Sequence, residues 1–189
     1  MRITGGEMRG RRISSPPTRD VRPTPDAVRE SLFNLLPPVS GQTFLDLYAG
    51  SGIVGLEALS RGAKCVVFVE KQAIIARKIK EQVAALGLEN RSLVLTMSVD
   101  KGVATLSGRE ERYDVIFADP PYERDWISKT LHYCRQDDLF AEGGLLVLQR
   151  SVREKIEGMD SNQGFVCVDE RRYGDTVLTF FDYILKEKC

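Results

Sequence analysis

Asp119, Pro120, Pro121 and Tyr122 stand in a row, directly after the short apolar run Val115 to Ala118. Proline fixes φ and carries no N–H, so this segment lacks two backbone donors. It offers mainly acceptors, the Asp119 carboxylate and the Pro120 carbonyl. That combination suits the exocyclic amine of a nucleic-acid base. Such a nitrogen is a poor nucleophile because its lone pair is delocalised into the ring. Two acceptors that hold its hydrogens can turn the lone pair toward an electrophilic methyl group. Once methylated, the nitrogen is cationic and strongly acidic, and a carboxylate with an ordinary pKa near ~3.9 is base enough to take the proton. Tyr122 adds a flat face on which a flipped or unpaired base can stack. The plain alternative is a proline-stiffened turn from a strand to a helix.

The second chemically suggestive stretch is Asp46-Leu47-Tyr48-Ala49-Gly50-Ser51-Gly52-Ile53-Val54-Gly55. Gly50, Gly52 and Gly55 satisfy G-x-G-x-x-G, a spacing that permits a tight turn and close approach of backbone to a ligand. Glu70 lies 20 residues after Gly50, where a carboxylate at the end of the next strand can accept both hydroxyls of a ribose. Dinucleotide-binding domains share this pattern, and Asp46 separates the two cases. An acid two residues before the loop would oppose a pyrophosphate. S-adenosylmethionine has no phosphate and carries positive sulfonium and amino groups, so the carboxylate favours it.

These loops need elements to position them. Thr24-Pro25-Asp26 reads as an N-cap, a proline at the first helical position and an acidic first turn. Val28, Leu32, Leu35 and Leu36 continue at helical spacing, and Pro37-Pro38 stops the helix. Strands are predicted at Phe44 to Tyr48, Cys65 to Val69, Leu93 to Met97, Val115 to Ala118 and Leu145 to Leu148, the last after Gly143-Gly144. Helices are predicted between them, including Gln72 to Leu86 and Trp126 to Cys134. Alternating strands and helices mean βαβ units and a parallel sheet. Phe165 to Val168 and Val177 to Ile184 break the alternation, with Tyr173-Gly174-Asp175 turn chemistry between them. The expected fold is therefore α/β, Rossmann-like, of the S-adenosylmethionine-dependent methyltransferase type: a mostly parallel seven-stranded sheet with a C-terminal antiparallel hairpin. Trp126 and Ile127 are expected in the core. Phe180, Phe181 and Tyr183 are expected to alternate between the faces of the last strand. Arg77, Lys78 and Lys80 read as a solvated helix face.

Composition narrows the options. The chain has 189 residues, 42% hydrophobic and 29% charged, an ordinary globular mix. No apolar run reaches the roughly 20 residues of a membrane span, and no signal peptide is apparent at the start. Cys65, Cys134, Cys167 and Cys189 form no C-x-x-C pair, which argues for reduced thiols, a cytoplasmic setting and no metal site. The single histidine, His132, gives no support to a histidine-based hydrolase. Net charge is zero, yet residues 1–22 carry six arginines against Glu7 and Asp20. A basic arm on an acidic body suggests a polyanionic partner; a solvated basic tail is the alternative.

With these residues in hand, the chain resembles the bacterial methyltransferases that place a methyl on N2 of one guanine in small-subunit (16S) ribosomal RNA. The resemblance covers nearly the whole chain. It includes Arg2-Ile3-Thr4-Gly5-Gly6, Arg9-Gly10-Arg11, Arg22-Pro23-Thr24, Val28 to Asn34, Leu45 to Ala63 and Asp119 to Tyr122. It implies that Asp46, Tyr48, Ala49, Gly50, Ser51, Gly52, Glu70 and Lys71 hold S-adenosylmethionine without a metal. It implies that Asp119, Pro120, Pro121 and Tyr122 hold the target guanine, and that Arg2, Arg9, Arg11, Arg12 and Arg22 bind RNA. Family members carry an acid near the adenine ring after the third strand; the aligned position here is Ser98, with Asp100 two residues later. The implied partner is 16S ribosomal RNA, or the small subunit in a partly assembled state, with no membrane and no duplex DNA. Guanine fits independently: its pairing edge presents two adjacent donors, which an ionised, acceptor-only Asp119 matches.

The expected division is a basic arm and lead-in helix over residues 1–36 and a catalytic domain over 37–189. Three rivals share part of the pattern. A DNA adenine-N6 methyltransferase usually carries a larger target-recognition region. An NAD-dependent oxidoreductase is disfavoured by Asp46 and the terminal hairpin. A non-enzymatic RNA-binding module would not need Asp119 to Tyr122.

Overall fold

The structure, a computed structural model, describes residues 1–14, 24–121, 125–136, 139–154, 156 and 164–184. The chain forms two compact units, Met1–Val99 and Asp100–Cys189. In the first, α1 (Asp26–Leu35) precedes β1 (Thr43–Leu47), α2 (Ile53–Ser60), β2 (Cys65–Val69), α3 (Ala73–Ala85), a 3-10 turn at Glu89–Arg91 and β3 (Ser92–Leu95). The strands pair in parallel in the order β3-β2-β1, with Leu45 beside Val67 and Val67 beside Leu93. These are the predicted βαβ units, as the short apolar strands require.

Helix α2 is buried along its entire length. A helix without a solvent face belongs in a core, yet this one carries Glu57. The acid is accommodated because other elements converge on it. Arg29 of α1, also fully buried, donates Nε–H to Glu57 Oε2 at 3.2 Å. Thr4 donates its backbone N–H at 2.8 Å and its hydroxyl at 2.7 Å, and Arg61 donates at 3.0 Å. Arg29 also reaches the carbonyls of Arg2 and Thr24 and the Asp26 carboxylate.

Thr4 belongs to a two-stranded hairpin at the start of the chain. Arg2 bridges Arg12, and Ile3 and Ile13 are buried. The hairpin lies on the end of α2: Glu7 N–H donates to the Ser60 carbonyl at 2.8 Å, Met8 N–H to Ser60 Oγ at 2.9 Å, and Ser60 Oγ–H to the Gly5 carbonyl at 2.6 Å. A Cβ at Gly6 would fall 1.9 Å from that Ser60 carbonyl, and its φ is 76°, so only glycine fits. Replacing Glu57 by Ala should destabilise the protein by about 3–5 kcal/mol, because it strands a buried guanidinium. Urea unfolding checks this, and a loss below ~1 kcal/mol would show that Arg29 is satisfied without Glu57.

One capping expectation is off by a residue. Pro25, not Thr24, occupies the N-cap position of α1, and it makes no side-chain cap bond. Thr24 is buried and its carbonyl serves Arg29 instead.

In the second unit, α4 (Val99–Ser107, starting at the junction) leads to β4 (Tyr113–Ala118), α5 (Trp126–Gln136), β5 (Phe140–Ser151), β6 (Phe165–Tyr173) and β7 (Thr176–Tyr183). The strand order is β4-β5-β7-β6. β4 and β5 are parallel, while β7 is antiparallel to both β5 and β6. The terminal hairpin thus inserts its second strand next to β5. Phe180 and Phe181, successive residues of β7, point to opposite faces of the strand and are both buried. β5 begins earlier and ends later than the expected Leu145 to Leu148: it runs twelve residues and passes through Gly143-Gly144 with an irregularity, where pairing jumps from Tyr113/Phe140 to Val115/Leu145. Trp126 also departs from expectation: it is half-buried with Lys129 Nζ 5.1 Å from its ring centroid, while Ile127 alone enters the core. Arg77 and Lys78 pair with Glu81 on the outer face of α3. Among the described residues no helix is long and apolar enough to cross a membrane.

Candidate active site

In the first unit the glycine-rich segment joins β1 to α2, at the carboxyl end of the parallel strands where ligands of open α/β sheets bind. Tyr48 takes a left-handed φ of 60°, a conformation that costs energy for a side chain of this size and marks functional loops. The loop then closes through Gly52 N–H to the Ala49 carbonyl at 2.8 Å, and is tied to β2 by Ala49 N–H to the Val69 carbonyl at 3.0 Å. Gly55 has the packing role: a Cβ there would lie 2.2 Å from Phe68 Cε1, so its absence lets α2 lie on β2.

The two carboxylates of this loop do different work. Asp46 is enclosed, and its Oδ2 accepts the Gly55 N–H at 3.0 Å. Gly55 is the third residue of α2, so Asp46 caps that helix from the preceding strand and neutralises its positive end. An N-terminus so occupied is a poor seat for a pyrophosphate, which agrees with the argument from residue type. Glu70, also buried, straddles the loop: Oε2 accepts Gly50 N–H at 2.9 Å and Oε1 accepts Gln72 N–H at 2.8 Å. Each oxygen keeps a lone pair for a ligand hydroxyl. Ser51 is buried and its Oγ accepts the Ile53 N–H at 3.4 Å. Lys71 is exposed next to Glu70, Ser98 stands directly before α4, and Asp100 lies exposed in its first turn.

In the second unit Asp119 follows β4 directly and Pro120 beside it is buried. Gln149 Nε2–H donates to Asp119 Oδ2 at 3.0 Å. Burial pushes the Asp119 carboxyl up to about 7; the Gln149 hydrogen bond opposes the shift and the charge of Glu154 adds to it. This corrects the ordinary carboxylate value assumed from the sequence. The physical reason is that an ionised carboxyl loses hydration when enclosed. Tyr122 lies outside the described residues, as does Arg22.

Sequence reasoning missed Gln149 and Glu154. The available signal was a glutamine at the end of an apolar strand, Leu145 to Leu148; the pairing of Ala118 with Leu148 puts the next residues, Asp119 and Gln149, side by side. Arg9, Arg11 and Arg12 are exposed on the hairpin, and Arg2, 70% exposed at its side chain, lies 3.6 Å from the Asp26 carboxylate. Among the described residues, no group of three or more His, Cys, Asp or Glu side chains is placed to hold a metal ion.

Strand order, terminal hairpin and the two strand-end loops define the class: a Rossmann-like methyltransferase fold, mostly parallel and seven-stranded. Solved structures of yhhF from Escherichia coli (TM-score 0.82, 26% identity, covering 98% of this chain and 99% of that one) and of a hypothetical protein from Thermus thermophilus (TM-score 0.80, 34% identity, 95% and 98%) share it. The chain belongs to the Cons_hypoth95 family, conserved hypothetical protein 95, whose family model matches residues 1–182. It is 31% identical over 163 residues to the Escherichia coli K12 protein named Ribosomal RNA small subunit methyltransferase D, covering 86% of this chain and 80% of that one.

Proposed function

We propose that this protein transfers a methyl group from S-adenosylmethionine to the exocyclic N2 amine of a guanine in 16S ribosomal RNA, acting in the cytoplasm on the small subunit or an assembly intermediate. The observation that carries the reading is the acceptor-only segment after β4, with Asp119 poised near neutrality and no N–H on Pro120 or Pro121. The name of the Escherichia coli relative supports the RNA substrate. Asp46, Tyr48 to Gly52, Glu70, Lys71 and Ser98 hold the cofactor, with Glu70 on the ribose hydroxyls and no metal. When bound, the cofactor supplies a sulfonium-activated methyl group. Asp119 and the Pro120 carbonyl hold the amine hydrogens and aim the nitrogen lone pair. Nitrogen forms the new bond, the sulfur–methyl bond breaks with its electrons left on sulfur, and Asp119 takes the proton from the cationic nitrogen. Tyr122 stacks the base.

Residues 1–36 serve as the RNA arm and 37–189 as the catalytic part. Specificity comes from the shape of the RNA around an accessible guanine. If Arg9, Arg11 and Arg12 each neutralise a phosphate, replacing all three by Ala should flatten the log–log salt dependence of RNA binding by about 2–3 units. Cofactor affinity should stay unchanged. An unaltered slope would remove the hairpin from the interface. The deciding experiment offers small subunits, assembly intermediates, free 16S RNA and duplex DNA with labelled S-adenosylmethionine. N2-methylguanosine in RNA is expected; N6-methyladenine in DNA would overturn the reading.

A further inference from the structure

Gln149 is an anomaly in its strand. It follows Leu146, Val147 and Leu148 on β5, is 3% exposed, and lies between β4 and β7. A buried primary amide needs partners, or it costs stability without return. The partner here is Asp119 Oδ2, at 3.0 Å. We propose that Gln149 is the positioning residue for Asp119: its amide anchors one carboxylate oxygen, stops rotation of the group, and presents the other oxygen to the amine of the base. The inference rests on the reading of Asp119 as the acceptor.

The residue type supports it. A lysine or arginine at this position would hold the carboxylate equally well, but would neutralise it and weaken it as a base. A glutamate would repel it. An amide donates a hydrogen bond and adds no charge, so orientation is obtained at a smaller cost in basicity than a cation would bring. Among the described residues the charged group that bears on Asp119 is Glu154, on the segment after β5, and it opposes ionisation. Gln149 is thus the group that favours the ionised form against both burial and Glu154. Glu154 is itself held: its carboxylate accepts Ser151 N–H at 2.8 Å, and its carbonyl accepts from Arg150 at 2.7 Å.

The test compares Gln149→Met, which keeps volume, and Gln149→Glu, which keeps shape and adds charge. Single-turnover methylation of the RNA substrate is followed against pH at saturating cofactor, with cofactor affinity and circular dichroism as controls. Gln149→Met is expected to lose about tenfold in rate at neutral pH, the scale of one hydrogen bond to a charged group. Its pH–rate profile should move to higher pH by about one unit as the stabilising donor is lost. Gln149→Glu should move it further in the same direction. Cofactor affinity should be unchanged in both. A folded Gln149→Met variant with the wild-type pH midpoint would overturn the proposal. Should Gln149→Met fail to fold, a Gln149→Glu profile that does not move upward overturns it equally. Full turnover in Asp119→Asn would instead remove the acceptor reading beneath it, so the two failures are distinguishable.

Discussion

Asp119→Ala is expected to lower turnover by at least ~10², because it removes both orientation and proton acceptance, while S-adenosylmethionine affinity changes little. The glycine loop and Glu70, which carry the proposed cofactor contacts, belong to the first unit and are left unaltered by the substitution. Single-turnover rates settle this, and near-normal rates would place the acceptor elsewhere. The elevated titration makes a second, sharper demand. On the proposed role of Asp119 the carboxylate must be ionised, so kcat/KM should rise about tenfold per pH unit on the acid side and level off above a midpoint near the Asp119 value of about 7. Stability should run the other way. A carboxyl whose pKa is raised by folding stabilises the folded state when protonated, and that contribution fades as pH climbs from the unfolded value through about 7. Asp119→Asn should therefore equal or exceed the wild type in Tm above neutrality, with the difference shrinking in acid. A variant that is both inactive and less stable at pH 8 would contradict the burial account.

Glu70→Ala carries the other large effect. The two proposed ribose hydrogen bonds to the carboxylate, each worth roughly 1.5–3 kcal/mol, predict cofactor binding weaker by at least about 10²-fold. The structure adds a second cause of the same sign. Glu70 also accepts the Gly50 and Gln72 N–H groups, so its loss frees the loop that should meet the cofactor. Titration calorimetry with S-adenosylmethionine and its demethylated product measures the change. Unaltered affinity would remove Glu70 from the binding site.

The βαβ core was legible because it is written locally. A continuous apolar run such as Cys65 to Val69, followed by the helical period of Ala73–Ala85, needs no distant partner to be read. The glycine loop was legible for a related reason: its spacing is dictated by a turn, and Gly55 by the ring of Phe68. What stayed hidden depends on residues far apart in the chain. Thr4 and Glu57 are 53 positions apart, and Asp119 and Gln149 are 30 apart; no period links them. The upward shift at Asp119 is not legible from residue type, which sets only a reference value; enclosure in the fold drives the shift. The early start of β5 is hidden because its apolar run begins only at Leu145, while pairing of Phe140 to Tyr113 carries the strand through Gly143 and Gly144.

Helix α2 has a consequence of length. Its amino end grows from the glycine loop, and its carboxyl end, at Glu57, Ser60 and Arg61, holds the basic hairpin. Eight residues at 1.5 Å each separate the two ends by about 12 Å. The helix is buried throughout and clamped at both ends, so it cannot stretch or swing independently. It acts as a ruler. A nucleic-acid backbone gripped at the hairpin would be held at a fixed stand-off from the loop. Which nucleotide could be reached from that grip would then be decided by the span of one short helix, without any contact that reads a base on the way.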